Sequence, residues 1–318
     1  MARRAIAVDL GGTRVRAGLV AEDGRVVMHR EAPTPAQDGP DAVLGQIAAL
    51  VAAVRQAAGS DAVPVIGVSA PGPLDTATGV VCTMQSLDGF DGLPLRDELE
   101  RRLGAPVALE NDGIAGALGE WRFGAGRGTD DLLYVTLSTG IGGGIIAGGR
   151  PLRGRRGLAG HVGHIFFAAG WERRSGGHMP CFEDFASGTA LAARAREAAA
   201  GDPGSVLHAA DRIDAAAVLA AAAKGDGLAR RLVADEAAAI GTGLASLAHV
   251  LDPALIVLGG GLAQALPVLE AGILAAFGQN AKPGFEGIAL AAAALGTHSS
   301  LCGAAALAFD PALAAGRG

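Results

Sequence analysis

The chain has 318 residues, of which 50% are hydrophobic and 18% charged, with a formal net charge of −6. That length buries a sizeable core in one large or two modest domains, and the acidic balance excludes the basic patch that nucleic-acid backbones attract. Three cysteines, Cys82, Cys181 and Cys302, lie far apart and are odd in number, which argues against a disulfide framework and for a reducing compartment.

Met1-Ala2-Arg3-Arg4 runs straight into an apolar strand that ends at Asp9, too short for a secretory leader. No stretch offers about 18 apolar residues free of polar and glycine breaks. The expectation is a cytoplasmic protein with no membrane and no nucleic acid among its partners. Between residues 4 and 31, apolar runs alternate with turn chemistry, and Asp23-Gly24 between two β-rich runs predicts a hairpin. An amphipathic helix over about 40–58 follows, then a buried strand at Val65-Ile66-Gly67-Val68, the breaker Pro71-Gly72-Pro73, a helix over 94–103 and the strand Val107-Ala108-Leu109. Strands alternating with helices predict an α/β fold.

A second block opens at Leu132-Leu133-Tyr134-Val135-Thr136 and passes through Ser138-Thr139-Gly140-Ile141-Gly142-Gly143-Gly144 into the strand Ile145-Ile146-Ala147. It echoes the opening, where Val8-Asp9-Leu10-Gly11-Gly12-Thr13 also leads a strand through a glycine turn into a second strand, and predicts a weak internal repeat. Beyond about 189 the chain reads as Ala-rich helix until Leu255-Ile256-Val257-Leu258, which runs into Gly259-Gly260-Gly261 and a further helix. No Ser/Pro-rich linker interrupts it.

A glycine turn after a buried strand brings bare backbone N–H groups close to a phosphate, because no Cβ stands in the way. Singly such turns are ordinary hairpins or strand-to-helix turns, but three of them point to a bound nucleotide. Neither a Walker pattern nor a strand-linked Gly-x-Gly-x-x-Gly with a following acidic residue is present, which argues against P-loop and Rossmann proteins. Glu110-Asn111-Asp112 closes a buried strand and opens a helix over 113–122, so Asp112 is a candidate general base, although Asn111-Asp112 is equally good helix-capping chemistry.

Asp9-Leu10-Gly11-Gly12-Thr13, Glu110-Asn111-Asp112, Ser138-Thr139-Gly140-Ile141-Gly142-Gly143-Gly144, Gly157-Leu158-Ala159-Gly160-His161-Val162-Gly163-His164 and Gly259-Gly260-Gly261 together resemble the ROK family of repressors and sugar kinases, in family order and across almost the whole chain. The resemblance implies an actin-like ATPase (ribonuclease H-like) fold of two domains with a central cleft: a small one of residues 1–112 completed by about 305–318, and a large one of 113–304. It implies ATP and Mg2+, with Asp9, Gly11, Gly12, Thr13, Thr139, Gly140, Gly142, Gly260 and Gly261 at the nucleotide. It implies a sugar held by Asn111, Asp112, His161, His164 and Glu183 against Pro71 and Gly72, with Asp112 as the catalytic base. The implied reaction moves the γ-phosphoryl group of ATP to the 6-hydroxyl of a hexose or N-acetylhexosamine, and the implied assembly is a homodimer or homotetramer.

The sequence departs from the family pattern at several points. Arg14 stands where many relatives have Lys, and His161 stands where many have Glu, a feature similar to N-acetylmannosamine kinases that favours that sugar slightly, with glucose next. His161 and His164, three apart, could equally be a metal pair or two solvent-facing loop residues. Zinc-binding relatives carry a Cys-x-Cys-Gly-x-x-Gly-Cys-x-Glu element, but residues 174–183 here keep only Cys181 before Glu183. His164 and Cys181, even if His178 joined them, would not rebuild a thiolate-rich cage, so no structural zinc is expected. Gln85-Ser86-Leu87 replaces a loop that usually carries Asn. Two alternatives follow from the resemblance, a sugar-binding regulator and an inactive kinase relative. Regulators of the family carry an N-terminal helix-turn-helix module, and here the first phosphate strand begins at about residue 4, leaving no room for one.

Overall fold

The computed structural model describes residues 3–58, 62–167 and 179–314. In chain order the elements are β1 (Arg4–Leu10), β2 (Arg14–Ala21), β3 (Val26–Pro33), α1 (Gly39–Ala58), β4 (Ala62–Ala70), β5 (Leu74–Asp75), β6 (Val80–Val81), α2 (Leu95–Leu103), β7 (Val107–Asn111) and α3 (Asp112–Phe123). Then come β8 (Leu132–Leu137), β9 (Ile141–Ala147), β10 (Arg150–Pro151), α4 (Phe182–Ala186), α5 (Gly188–Ala200), α6 (Ala215–Ala223) and α7 (Gly227–Leu251). The chain ends with β11 (Leu255–Gly259), α8 (Leu266–Asn280), β12 (Ala289–Ala292), α9 (Ser299–Phe309) and α10 (Pro311–Ala314). One five-stranded sheet runs β3-β2-β1-β4-β7 and another β10-β9-β8-β11-β12, so the fold is α/β with mixed sheets.

Two compact units divide the chain, the first formed by Met1–Tyr134, Gly143–Gly160 and Ala293–Gly318, the second by Val135–Gly142 and His161–Ala292. These bounds differ from the sequence expectation of 1–112 with 305–318, since α3 packs in the first unit.

In the first unit β1, β2 and β3 form an antiparallel meander, and β4 and β7 add in parallel. The predicted hairpin at Asp23-Gly24 is there, with Gly24 at φ +87°, a left-handed conformation that glycine adopts without Cβ strain. Because side chains alternate along a strand, β1 sends Ile6, Val8 and Leu10 into a core with Leu44, Ile47, Val51 and Leu99 of α1 and α2. Its Ala5 and Ala7 face α9 and its Leu301, Cys302, Ala304 and Ala305. Helix α1 and the stretch Leu262–Asn280 have the length and mean hydropathy of a membrane span, yet α1 spends its apolar face, Val43, Leu44, Ile47, Val51 and Val54, on this core.

Small residues decide how closely α9 approaches its neighbours. A Cβ on Gly67 would overlap the carbonyl of Ala304, one on Gly119 the carbonyl of Ser299, and one on Gly303 the carbonyl of Ala115. The Ala-rich α9 therefore packs backbone against backbone with β4 and α3. Glu120, fully buried in α3, supports the same junction: its carboxylate accepts from Ala125 N (3.0 Å), Ala294 N (2.9 Å), Leu295 N (3.0 Å) and Ser299 Oγ (2.7 Å), which satisfies a buried charge with four donors instead of a cation.

The second unit is built around the 25-residue α7, against which α4, α5, α6 and α8 pack. Gly241 admits the backbone of α8 at Ile273, and Gly243 admits the ring of Phe182 from α4. β11 and β12 pair in parallel from Leu255↔Ala289 to Leu258↔Ala292.

Candidate functional site

In the first unit the polar groups form one row across the sheet. The registers place Glu31 opposite Arg16, Arg16 opposite Asp9, Asp9 opposite Ser69 and Ser69 opposite Glu110; directly paired residues share a face, so five strands line up five polar side chains. Arg16 Nη1 reaches Asp9 Oδ2 (3.5 Å) and the Thr297 carbonyl (3.0 Å), and its Nε donates to Glu31 Oε2 (3.2 Å). Ser69 Oγ donates to the other oxygen of Asp9 at 3.3 Å. At the far end Glu110, almost wholly buried, accepts from Arg153 Nε at 2.6 Å and from Asn111 N at 3.0 Å. Burial raises the Glu110 carboxyl above the usual carboxylate range, with Arg153 opposing.

Asp9 has an unusual electrostatic setting. Burial pushes its pKa up from 3.8 to about 6, Arg16 pulls it down, and the nearby Asp112 charge pushes it up again. The consequence for stability has a definite sign. Well below pH 3.8 the folded and unfolded chains both hold this proton and nothing is lost. Between about pH 4 and 6 the unfolded chain has lost this proton while the folded chain still holds it, so stability falls as the pH rises across that window and levels off above it. Asp9→Asn is therefore expected to stabilise the ligand-free protein at pH 7.5 by up to roughly 3 kcal/mol, the difference from wild type vanishing by about pH 3. Urea unfolding of both proteins at the two pH values checks this; an Asn variant less stable than wild type at pH 7.5 contradicts it.

The glycine turn after Asp9 closes on itself, with Gly11 N donating to Arg14 O (2.9 Å) and Thr34 Oγ1 to Gly11 O (2.7 Å). A Cβ on Gly12 would lie 2.7 Å from the Cβ of Ser86, so the departure at Ser86 sits directly beside this turn. Thr13 is exposed at the tip.

Asn111 and Asp112 divide the work at the start of α3. Asn111 is the N-cap residue, in extended conformation, and its Oδ1 accepts from Gly113 N at 3.0 Å. Asp112 is half-buried in the first turn, its Oδ1 also near Gly113 N (2.8 Å) and its carbonyl bonded by Ser300 Oγ (3.1 Å). The capping chemistry read from the sequence is thus real, but Asn111 supplies it, and Asp112 is the carboxylate close enough to Asp9 to raise its pKa. Gly72 lies against the Asn111 amide, with room for no Cβ at 2.8 Å from Nδ2, and Pro71 precedes it.

In the second unit the turn 138–142 is held by its own neighbours. Glu183 Oε2 accepts from Ile141 N at 2.6 Å, and a Cβ on Gly140 would lie 2.5 Å from that same oxygen. Gly260, at φ +87°, sits against the backbone of Leu137, whereas Gly261 has open space around it. The rings of His161 and His164 lie parallel at 6.2 Å, and His164 Nδ1 is 3.8 Å from Cys181 Sγ. Burial raises the Cys181 thiol, which the Asp184 carboxylate also faces. Among the described residues no cluster of three or more His, Cys, Asp or Glu side chains could hold a metal ion; His178, the third candidate ligand, lies outside the described residues.

The structure brings Asp9, Gly11, Gly12, Thr13, Pro71, Gly72, Asn111 and Asp112 into the first unit, and Thr139, Gly140, Gly142, His161, His164, Glu183, Gly260 and Gly261 into the second. Sequence reasoning missed Arg16, Ser69, Glu110 and Arg153. Strand pairing makes Arg16, Ser69 and Glu110 part of the Asp9 row, and Arg153 reaches Glu110 from beyond β10. The one available signal was a polar or charged residue late in an otherwise apolar strand, as Ser69 is in β4.

Known proteins point the same way. The model of the ROK family matches residues 5–310. A glucokinase of Streptomyces coelicolor is 35% identical over 318 residues, covering 96% of this chain and 98% of its own, and an N-acetylmannosamine kinase of Salmonella typhi is 33% identical over 303 residues, covering 95% and 97%. The crystal structure of a ROK family glucokinase from Streptomyces griseus with glucose and AMPPNP superposes with a TM-score of 0.84 at 35% identity, over 96% of this chain and 99% of that one. The glycine turns, the Asn-Asp helix start and the length of these matches have one common explanation, that the chain belongs to the ROK family.

Proposed function

We propose that the chain is an ATP-dependent sugar kinase on an actin-like ATPase fold, and that Asp112 is its general base. A sugar hydroxyl is too weak an acid to ionise at neutral pH, so the transfer needs a carboxylate to accept its proton. In the proposed reaction the 6-hydroxyl oxygen bonds to the γ-phosphorus, the bond to the β–γ bridging oxygen breaks, the proton passes to Asp112, and ADP and the sugar 6-phosphate leave. The observation that carries the reading is Asp112 itself, half-buried at a helix start whose capping is supplied by Asn111.

In this reading Gly11, Gly12 and Thr13, with Thr139, Gly140 and Gly142, offer backbone amides to the phosphates, and Gly260 and Gly261 border the adenosine. Asn111, His161, His164 and Glu183 bond the sugar hydroxyls, which need partners that donate and partners that accept, and Pro71 and Gly72 form the pocket wall. Asp9 fits a hard cation, since it offers carboxylate oxygen flanked by Arg16 and Ser69 and near the second carboxylate of Asp112. Mg2+, when bound, neutralises phosphate charge as transfer proceeds. The relatives named for glucose and for N-acetylmannosamine bracket the substrate, and His161 favours N-acetylmannosamine, with glucose next. A cytoplasmic homodimer or homotetramer completes the proposal.

A coupled ADP-release assay with glucose, mannose, fructose, N-acetylglucosamine and N-acetylmannosamine tests it. The expected result is sugar-dependent ADP release, greatest with N-acetylmannosamine or glucose. Sugar binding without ADP release would instead identify a regulator or an inactive relative.

A further inference from the structure

One short stretch of chain supports the turn 138–142. Ser138 O accepts from Gly188 N at 2.7 Å, Thr139 O from Thr189 N at 3.3 Å, and Ile141 N donates to Glu183. Three backbone groups of the turn therefore hang from α4 and the first turn of α5, which Ser187 joins. Ser187 is itself fixed, buried and capping α5 through Ala190 N at 3.2 Å. The shape of the turn thus follows the bend between α4 and α5.

Arg194 fixes that bend. From α5 its Nη1 donates to Phe185 O in α4 at 2.5 Å, and its Nη2 donates to Glu236 Oε2 in α7. Phe185 O belongs to the last turn of a five-residue helix, where carbonyls lack intrahelical partners. One guanidinium therefore ties three helices together, which a planar fork of donors does and a single ammonium does not. Stability alone gives little reason for the pair: Glu236 Oε1 and Arg194 Nε are buried with no partner among the described residues, and half-satisfied buried ion pairs stabilise less than packed hydrophobic groups of the same volume. Burial pushes Glu236 up to about 7 even with Arg194 beside it.

We propose that Arg194, backed by Glu236, is a positioning residue for the phosphate-binding turn: it sets the α4–α5 bend and, through Glu183, Gly188 and Thr189, the orientation of the amides that meet the nucleotide. The inference rests on the kinase reading of that turn. Its test compares R194M, R194K and V233A, the last a truncation of a buried α7 residue that perturbs the same helix without removing the guanidinium. ADP affinity by calorimetry, KM for ATP, kcat and the thermal midpoint are measured for each.

R194M is expected to weaken ADP binding and raise KM for ATP about tenfold or more, as loss of a supporting partner behind a ligand site does. R194K, which reaches one acceptor, recovers part of the loss, and V233A lowers the midpoint with ADP affinity unchanged. A folded R194M with wild-type ADP affinity and KM overturns the proposal, as does a V233A that loses affinity equally. Should R194M fail to fold, R194K against V233A decides by the same criterion. A wild type that binds ADP but phosphorylates no sugar removes the kinase reading and leaves ADP affinity to decide this one; a wild type that binds no nucleotide removes both.

Discussion

Asp112→Asn lowers kcat by about 10²–10⁴-fold, the usual contribution of a positioned proton acceptor, while ADP and sugar still bind. The expectation is sharp because the substitution keeps the shape of the side chain and removes its charge, which also relieves the buried Asp9. The amide keeps the size of the side chain and an oxygen at the position that faces Gly113 N, and the helix start is capped by Asn111, not by Asp112. Stability at neutral pH therefore holds or rises, since Asp9 loses a neighbouring like charge. A carboxamide cannot take the proton of the attacking hydroxyl, so the loss falls on kcat instead of KM. Asn111→Ala gives the complementary outcome at the level of the fold, a loss of about 1 kcal/mol as the α3 cap disappears. Steady-state kinetics and chemical unfolding of the two variants separate the roles; an Asp112→Asn enzyme with wild-type kcat would remove Asp112 as the base.

The largest effect on stability is expected at Gly303. A methyl group there would overlap the carbonyl of Ala115 in α3, and backbone cannot move aside by changing rotamer, so α3 and α9 must separate. Overpacking typically costs 1–3 kcal/mol and sometimes more, and we expect Gly303→Ala at about 3 kcal/mol or above, because the displaced helix also carries Ser299 and Ser300, which bond Glu120 and the Asp112 carbonyl. Gly45→Ala, in the middle of α1 with open space where its Cβ would stand, should instead stabilise by about 0.5–1 kcal/mol. The same substitution thus carries opposite signs at two helical glycines. Thermal unfolding and the ATP concentration dependence of the remaining activity would show whether the Gly303 variant also disturbs the start of α3; a Gly303→Ala protein as stable as wild type would contradict the packing account.

Much of the local architecture was legible in the sequence. Asp23-Gly24 between two β-rich runs forms the β2–β3 hairpin, the apolar run at 65–68 lies within the parallel strand β4, and the helix expected at 113–122 is α3. The physical reason is that these signals are local: hydrophobic period and turn chemistry are decided within ten residues or so. Asp112 was likewise visible as a carboxylate at a strand-to-helix junction, with two readings that the sequence left open.

The arrangement around those elements was decided elsewhere. Glu31, Arg16, Asp9, Ser69 and Glu110 come from five strands spread over some 100 residues, and only the pairing register makes them one row. That α3 packs against α9 depends on glycines meeting carbonyls some 180 residues away, which periodicity does not encode. Arg194 reads in sequence as one more charge on an Ala-rich helix; its bonds to Phe185 and Glu236 exist only once α4, α5 and α7 have packed. The sequence by itself determined the glycine turns, the longer strands and helices of the first half and the motifs that mark the family, because each of those rests on neighbouring residues. Short strands such as β10 and β12, by contrast, carry too few residues to show a period. The tertiary structure alone decided which charges compensate Asp9 and what supports the turn at 138–142, because each depends on distances between residues far apart in the chain, and it resolved which of Asn111 and Asp112 caps the helix, a choice that local chemistry had left even.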